Sequence, residues 1–182
     1  MTHYAIAVVV GSLRKDSLNK KLAKALEKLF PADFSFNHVR IDDLPLYNQD
    51  DDGNPSAQVA RLKAEISAAQ GVLFVTPEYN RSIPGVLKNA IDHASRPYGK
   101  SAWNSKPAGV IGASVGPIGT AMAQQHLRNI LAYLNMPTLG QPEAFIHNKD
   151  GLYDEAGNIG EASQKFLQCW VDAYVAWVKA HV

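Results

Sequence analysis

Short apolar runs alternate with helix-period segments along nearly the whole chain, and that alternation limits the fold more than any other feature. The runs at 4–10 (YAIAVVV), 71–76 (GVLFVT) and 108–113 (AGVIGA) show no polar alternation. Strands buried on both faces read this way. Residues 34–41 alternate like a half-buried strand, and 136–146, broken by Gly140 and Pro142, should supply a fifth. Helix-period segments fill the intervals: Leu18–Phe30, Ser56–Ala69, Pro84–Ser95, Thr120–Leu134 and Glu161–Val178. Ser56 follows Pro55 and suits an N-cap, and Pro84 suits a first helical turn. Five strand-then-helix units predict a parallel sheet covered by helices on both faces. Right-handed crossovers leave few ways to connect it.

At 182 residues the α/β chain is expected to be one domain, 1–182. The favoured arrangement is the flavodoxin-like doubly wound five-stranded parallel sheet, in strand order 2-1-3-4-5. Such a sheet binds its ligand in the crevice outside the carboxyl ends of strands 1 and 3. The loops after strands 1, 3 and 4 should therefore carry polar binding residues, and they do. The first is GSLRKDSLN, 11–19, between an apolar strand and a helix start. Unpaired N–H groups and the helix dipole make that place an anion site. Ser12, Ser17, Asn19 and Arg14 suit a phosphate monoester. The plainer reading is a βα turn in which Ser17 caps the helix.

The spacing of this loop is neither that of a Walker A motif nor that of a dinucleotide fingerprint, since Gly11 stands alone. After strand 3, Pro77 and Pro84 stiffen a loop holding Glu78, Tyr79, Asn80, Arg81 and Ser82. A stiff loop there can turn backbone groups toward a flat heterocycle, and Tyr79 adds an aromatic surface or a hydroxyl. After strand 4, Ser114, Gly116 and Gly119 would let backbone approach a ring closely. The acidic, turn-rich stretch Asp42–Pro55 is expected to form a surface excursion, a lid or an interface element.

Composition excludes several classes of function. A formal net charge of +1, with 18 basic and 17 acidic side chains, does not suit a nucleic-acid binder. The six histidines show no metal-ligand spacing, so no metal is expected. The one cysteine, Cys169, sits among Phe166, Leu167, Trp170, Val171, Tyr174 and Trp177, and reads as core rather than nucleophile. No Gly-x-Ser-x-Gly elbow is present. No signal-peptide pattern and no apolar run of membrane-spanning length is seen, so a cytoplasmic protein is expected.

With these loops in place, the chain resembles the NAD(P)H-dependent FMN reductase family, in its chromate reductase and quinone reductase branch. The resemblance rests on 11–19, on TPEYNRSIPGVLKNAID at 76–92, and on the Ser114-x-Gly116-x-x-Gly119 loop. It implies that Ser12, Arg14, Ser17 and Asn19 hold the FMN phosphate. It implies that Pro77, Glu78, Tyr79 and Asn80 line the isoalloxazine, chiefly through backbone, and that Ser114 and Gly116 close its far edge. Two positions depart from the pattern. Thr120 stands where a glycine is common, and Asp16 stands where a small residue is common; Asp16 should then face solvent.

The resemblance further implies ping-pong transfer from NADH or NADPH through FMN to quinones, with chromate, azo or nitro compounds as further acceptors. No protein side chain need be catalytic, because the cofactor carries the chemistry. It also implies a homodimer or homotetramer, with the 84–95 and 120–134 helices as candidate contacts. A flavodoxin-like electron carrier is the alternative reading. Such carriers are usually strongly acidic, which the net charge argues against. A flavin-free scaffold is a third, marked by a colourless protein that binds no added FMN.

Overall fold

The structure is a computed structural model that describes residues 2–182. Five strands, β1 Tyr4–Val10, β2 Phe34–His38, β3 Gly71–Val75, β4 Ala108–Ser114 and β5 Phe145–His147, form one sheet. Their spatial order is β2-β1-β3-β4-β5, and every pair is parallel. The helices are α1 Leu18–Glu27, α2 Ala57–Ala68, α3 Gly85–Ala94, α4 Ala121–Tyr133 and α5 Glu161–Ala180.

Strand periodicity divides the core between the two faces of the sheet. Ile6, Val8, Val10, Leu73, Val75, Ile111 and Ala113 pack under α1 and α5. Ala7, Val9, Val72, Phe74, Ala108 and Val110 face α2, α3 and α4. Burial on both faces explains why these strands read as continuous apolar runs.

Three boundaries differ from the sequence reading. The first helix ends at Glu27 with Lys28 as its C-cap, and Leu29 and Phe30 turn back onto the sheet. Strand β2 stops at His38, although Val39 still donates to the Val8 carbonyl at 3.0 Å and Ile41 is buried. The fifth strand is short. Thr138 makes one isolated bridge to Ala108, and ladder pairing resumes only at Phe145. Between them, Gly140 and Pro142 carry the chain off the edge.

Cys169 corrects another expectation: it is exposed. The buried residues of α5 are Leu167, Trp170, Val171, Tyr174 and Val178, which set the helix phase and leave position 169 outside. The excursion Asp42–Pro55 is strapped onto α3. Asn89 accepts from Tyr47 N at 2.8 Å and donates to the Pro45 carbonyl at 2.8 Å, and the buried His93 ring also reaches Pro45 O.

Candidate functional site

All three polar loops gather at the carboxyl edge of β1, β3 and β4. The first, 11–17, joins β1 to α1. Gly11 N is held by the Val75 carbonyl at 3.0 Å. Ser17 is the N-cap of α1, and its hydroxyl accepts from Lys20 N at 3.3 Å. That hydroxyl keeps its proton free to donate. Ser12 and Ser17 are both 5 % exposed, and the Ser12 hydroxyl has no partner among the described residues. The N–H groups of Leu13, Arg14, Lys15, Leu18 and Asn19 find no acceptor among them either. Arg14 is exposed and makes no ion pair among the described residues, and Asp16 is exposed to solvent as expected.

Asn19 behaves differently from Ser12 and Ser17. Its amide donates to the Ala113 carbonyl at 3.0 Å and its carbonyl accepts from Ala113 N at 2.9 Å. The side chain therefore ties the first turn of α1 to the end of β4. What it leaves for a ligand is its backbone N–H, at the second position of the helix.

The loop after β3 is a tight hairpin. Tyr79 N donates to Ser82 O at 2.9 Å and Ser82 N to Tyr79 O at 3.0 Å. Asn80 and Arg81 between them have φ of 52° and 64°. Two consecutive left-handed residues make a type I′ turn, which Asn tolerates and Arg does not favour. Its central N–H groups project outward, unpaired among the described residues. Such strain persists where the surroundings hold it in place.

Glu78 supplies much of that hold. Its carboxylate accepts from Met122 N at 3.0 Å and from Ala123 N at 3.2 Å, the second and third N–H groups of α4. Arg81 pairs with its other oxygen at 3.0 Å. Thr120, the N-cap residue, makes no side-chain cap bond, so a carboxylate from another loop caps and charge-balances this helix. His126 Nδ1 and Ser82 Oγ, 3.0 Å apart, add a second tie.

The loop after β4 is pinned from below. Gly119 has φ of 64°, and a Cβ there would lie 2.6 Å from the Phe145 backbone. A Cβ at Gly116 would meet only Ser114 Oγ among the described residues, at 3.9 Å, so its outer side is clear for a flat ligand. Ser114 turns inward, bonding Gly116 N at 3.3 Å and Gly116 O at 3.1 Å.

The structure thus brings Ser12, Arg14 and Ser17 to one loop, and Pro77–Asn80 with Ser114 and Gly116 to the neighbouring edge. Sequence reasoning missed the clamps: the Glu78 carboxylate on α4, the Ser82–His126 tie and the left-handed Arg81. An Asn-Gly pair would have announced the turn; Asn-Arg conceals it.

The donor set fits a flavin mononucleotide. Spare hydroxyls, helix-start N–H groups and a free guanidinium match a phosphate dianion. The stiff hairpin and the clear side of Gly116 match a flat ring.

The sequence pattern of the NADPH-dependent FMN reductase family matches residues 4–151. A 2-hydroxy-1,4-benzoquinone reductase of Burkholderia sp is 55% identical over 175 residues, covering 96% of each chain. A quinone reductase of Pseudomonas putida is 48% identical over 177 residues, covering 97% of this chain and 95% of that one. Among solved structures, a flavoenzyme NAD(P)H:(acceptor) oxidoreductase from Paracoccus denitrificans superposes with a TM-score of 0.94. It is 48% identical, and the match covers 98% of both chains.

Proposed function

The chain belongs to the NADPH-dependent FMN reductase family, and from that membership we propose how its site works. The protein is an oxidoreductase with FMN as cofactor and NAD(P)H as electron donor. Its acceptors are quinones, as in the named relatives. When bound, FMN supplies the hydride and electron-transfer chemistry. The chain's own groups bind, orient and stabilise.

In this reading Ser12, Arg14, Ser17 and the N–H groups of Leu18 and Asn19 hold the phosphate. Asn19's side chain fixes that helix start against β4. Pro77, Glu78, Tyr79 and Asn80 line the ring, with the N–H dipoles of the hairpin directed at its polar edge. Fixed dipoles of this kind stabilise charge that develops on reduction, without reorganising. Ser114 and Gly116 border the opposite edge. Donor and acceptor share one exposed face in turn, beside Tyr79, and little of the acceptor is enclosed. Chromate, azo and nitro compounds are then further acceptors.

The observation that carries this reading is the set of spare donors between Ser12 and Asn19. The test is NAD(P)H oxidation by the purified protein with a benzoquinone, against free FMN at equal concentration. Turnover well above free FMN is expected. Turnover equal to free FMN would overturn the enzyme reading in favour of an electron carrier.

Leu13, Val115, Ile118 and Met122 are exposed apolar side chains on the loops and helix start at this edge. Covering them favours a homodimer or homotetramer, and a monomeric mass by light scattering would refute it. No helix among the described residues is long and apolar enough to cross a membrane. A cytoplasmic place, where nicotinamide cofactors are regenerated, suits this activity.

A further inference from the structure

Arg81 is the strained residue of the hairpin after β3, and the fold gains little from having it there. Its φ of 64° lies in the left-handed region, where glycine is at ease and arginine is not. The side chain is 70 % exposed and makes one contact among the described residues, Nη1 to Glu78 Oε1 at 3.0 Å. Its Nε and Nη2 have no partner among those residues. An exposed pair of this kind adds little to stability. Backbone strain that folding does not explain points to function.

Glu78 fixes where the guanidinium sits. Its Oε2 accepts from Met122 N and Ala123 N, so the pair on Oε1 holds Arg81 where the hairpin meets the start of α4. Tyr79 in the hairpin is exposed, as are Met122 on α4 and Val115 and Ile118 on the loop after β4. Across residues 76–84 and 114–120, Arg81 is the one Lys or Arg and Glu78 the one carboxylate. Those two charges balance, and the N-terminus of α4 adds a partial positive charge. This corner is therefore net positive, with two guanidinium nitrogens free to donate. Such a rim suits a flat apolar ring that carries an anionic oxygen. Quinones with an ionised ring hydroxyl have that form. Their charge is spread over oxygens, two of them on adjacent carbons, which one guanidinium fork can hold together.

We propose that Arg81 selects anionic hydroxyquinones as acceptors, holding the ionised oxygen beside the open face next to Tyr79. This rests on the FMN and quinone reading above. The reduction takes one hydride from NAD(P)H, delivered through the flavin, and two protons from water. The hydroxyquinone anion becomes a neutral trihydroxyarene, and NAD(P)H becomes NAD(P)+. The hydride adds negative charge to an acceptor that is already an anion, and a fixed guanidinium offsets both charges.

The test measures kcat/KM of the FMN-loaded protein for two acceptors. One is lawsone, a hydroxynaphthoquinone ionised at neutral pH. The other is its methyl ether, which keeps the oxygen and loses the charge. The ratio of the two is compared between the unaltered protein, Arg81→Gln, Arg81→Gly and Arg81→Lys. It should fall about tenfold or more in Arg81→Gln and Arg81→Gly, and Arg81→Lys should keep part of it. Arg81→Gly has the backbone freedom that the turn asks for, so a loss there is not a folding defect. A ratio indifferent to these substitutions overturns the proposal. So does an equal fall for both quinones, which would make Arg81 a prop for the hairpin. A raised KM for NADPH with the ratio unchanged also overturns it, assigning the guanidinium to the donor's phosphates. Turnover of the methyl ether by the unaltered protein, set against free FMN, tests the enzyme reading by itself. Where that turnover stands and the ratio does not move, only the role of Arg81 falls.

Discussion

The loop after β1 and the hairpin after β3 stand at the same sheet edge and are built in opposite ways. The first spends few of its polar groups internally. The N–H groups of Leu13, Arg14 and Lys15, those of Leu18 and Asn19 at the start of α1, and the Ser12 hydroxyl have no partner among the described residues. The second is closed on itself by the Tyr79–Ser82 pair, and on α4 by Glu78 and Ser82. Donors left unpaired on a loop and at a helix start are free to meet an anionic ligand. A loop that has met its own needs is a finished surface against which a ring can be laid. Phosphate affinity should therefore reside in the first loop, and ring geometry and local stability in the second.

Substitutions at the two loops can break that division. The largest expected effect is on binding. Arg14→Ala should lose a charge-assisted pair worth about 1.5–3 kcal/mol, lowering FMN affinity tenfold or more. Flavin fluorescence quenching reads the affinity, and the melting temperature of the apoprotein should hold. A matching fall in apoprotein stability would show that the arginine is structural.

Next comes Glu78→Ala, which uncaps α4 and frees the hairpin. Apoprotein stability should fall by about 2 kcal/mol in a denaturant melt, and Glu78→Gln should recover part of it. An unchanged midpoint would remove the clamp from the account. Ser17→Ala touches both roles, since the hydroxyl caps α1 and also faces the phosphate position. A stability loss of about 1 kcal/mol is expected without flavin, together with weaker FMN binding. Loss of either effect alone would assign Ser17 to one role.

The smallest effect is a gain. Arg81→Gly relieves a left-handed arginine and should stabilise the apoprotein by about 0.5–1 kcal/mol. The exposed Arg81–Glu78 pair that it sacrifices contributes little. A loss of stability would mean that the pair, rather than the turn, holds Glu78 in place.

The sheet was legible because burial on both faces is written locally. The run at 4–10 became β1 with the same bounds, and the polar loops fell where strand order required. Features that depend on distant partners were not legible. The tie made by the Asn19 side chain shows only once Ala113, far along the chain, is brought against its amide. The capping role of the Glu78 carboxylate shows only once α4 presents two N–H groups to it. Cys169 reads as core until the phase of α5, set by Trp170 and Tyr174, turns it outward.

The most direct measurement compares the affinities of the apoprotein for FMN and riboflavin, which differ only in the phosphate. The account predicts that riboflavin binds at least tenfold more weakly. It also predicts that Arg14→Ala narrows the difference by weakening FMN alone. Equal affinity for the two flavins, or an Arg14→Ala variant that weakens both alike, would contradict the assignment of the phosphate to the loop after β1.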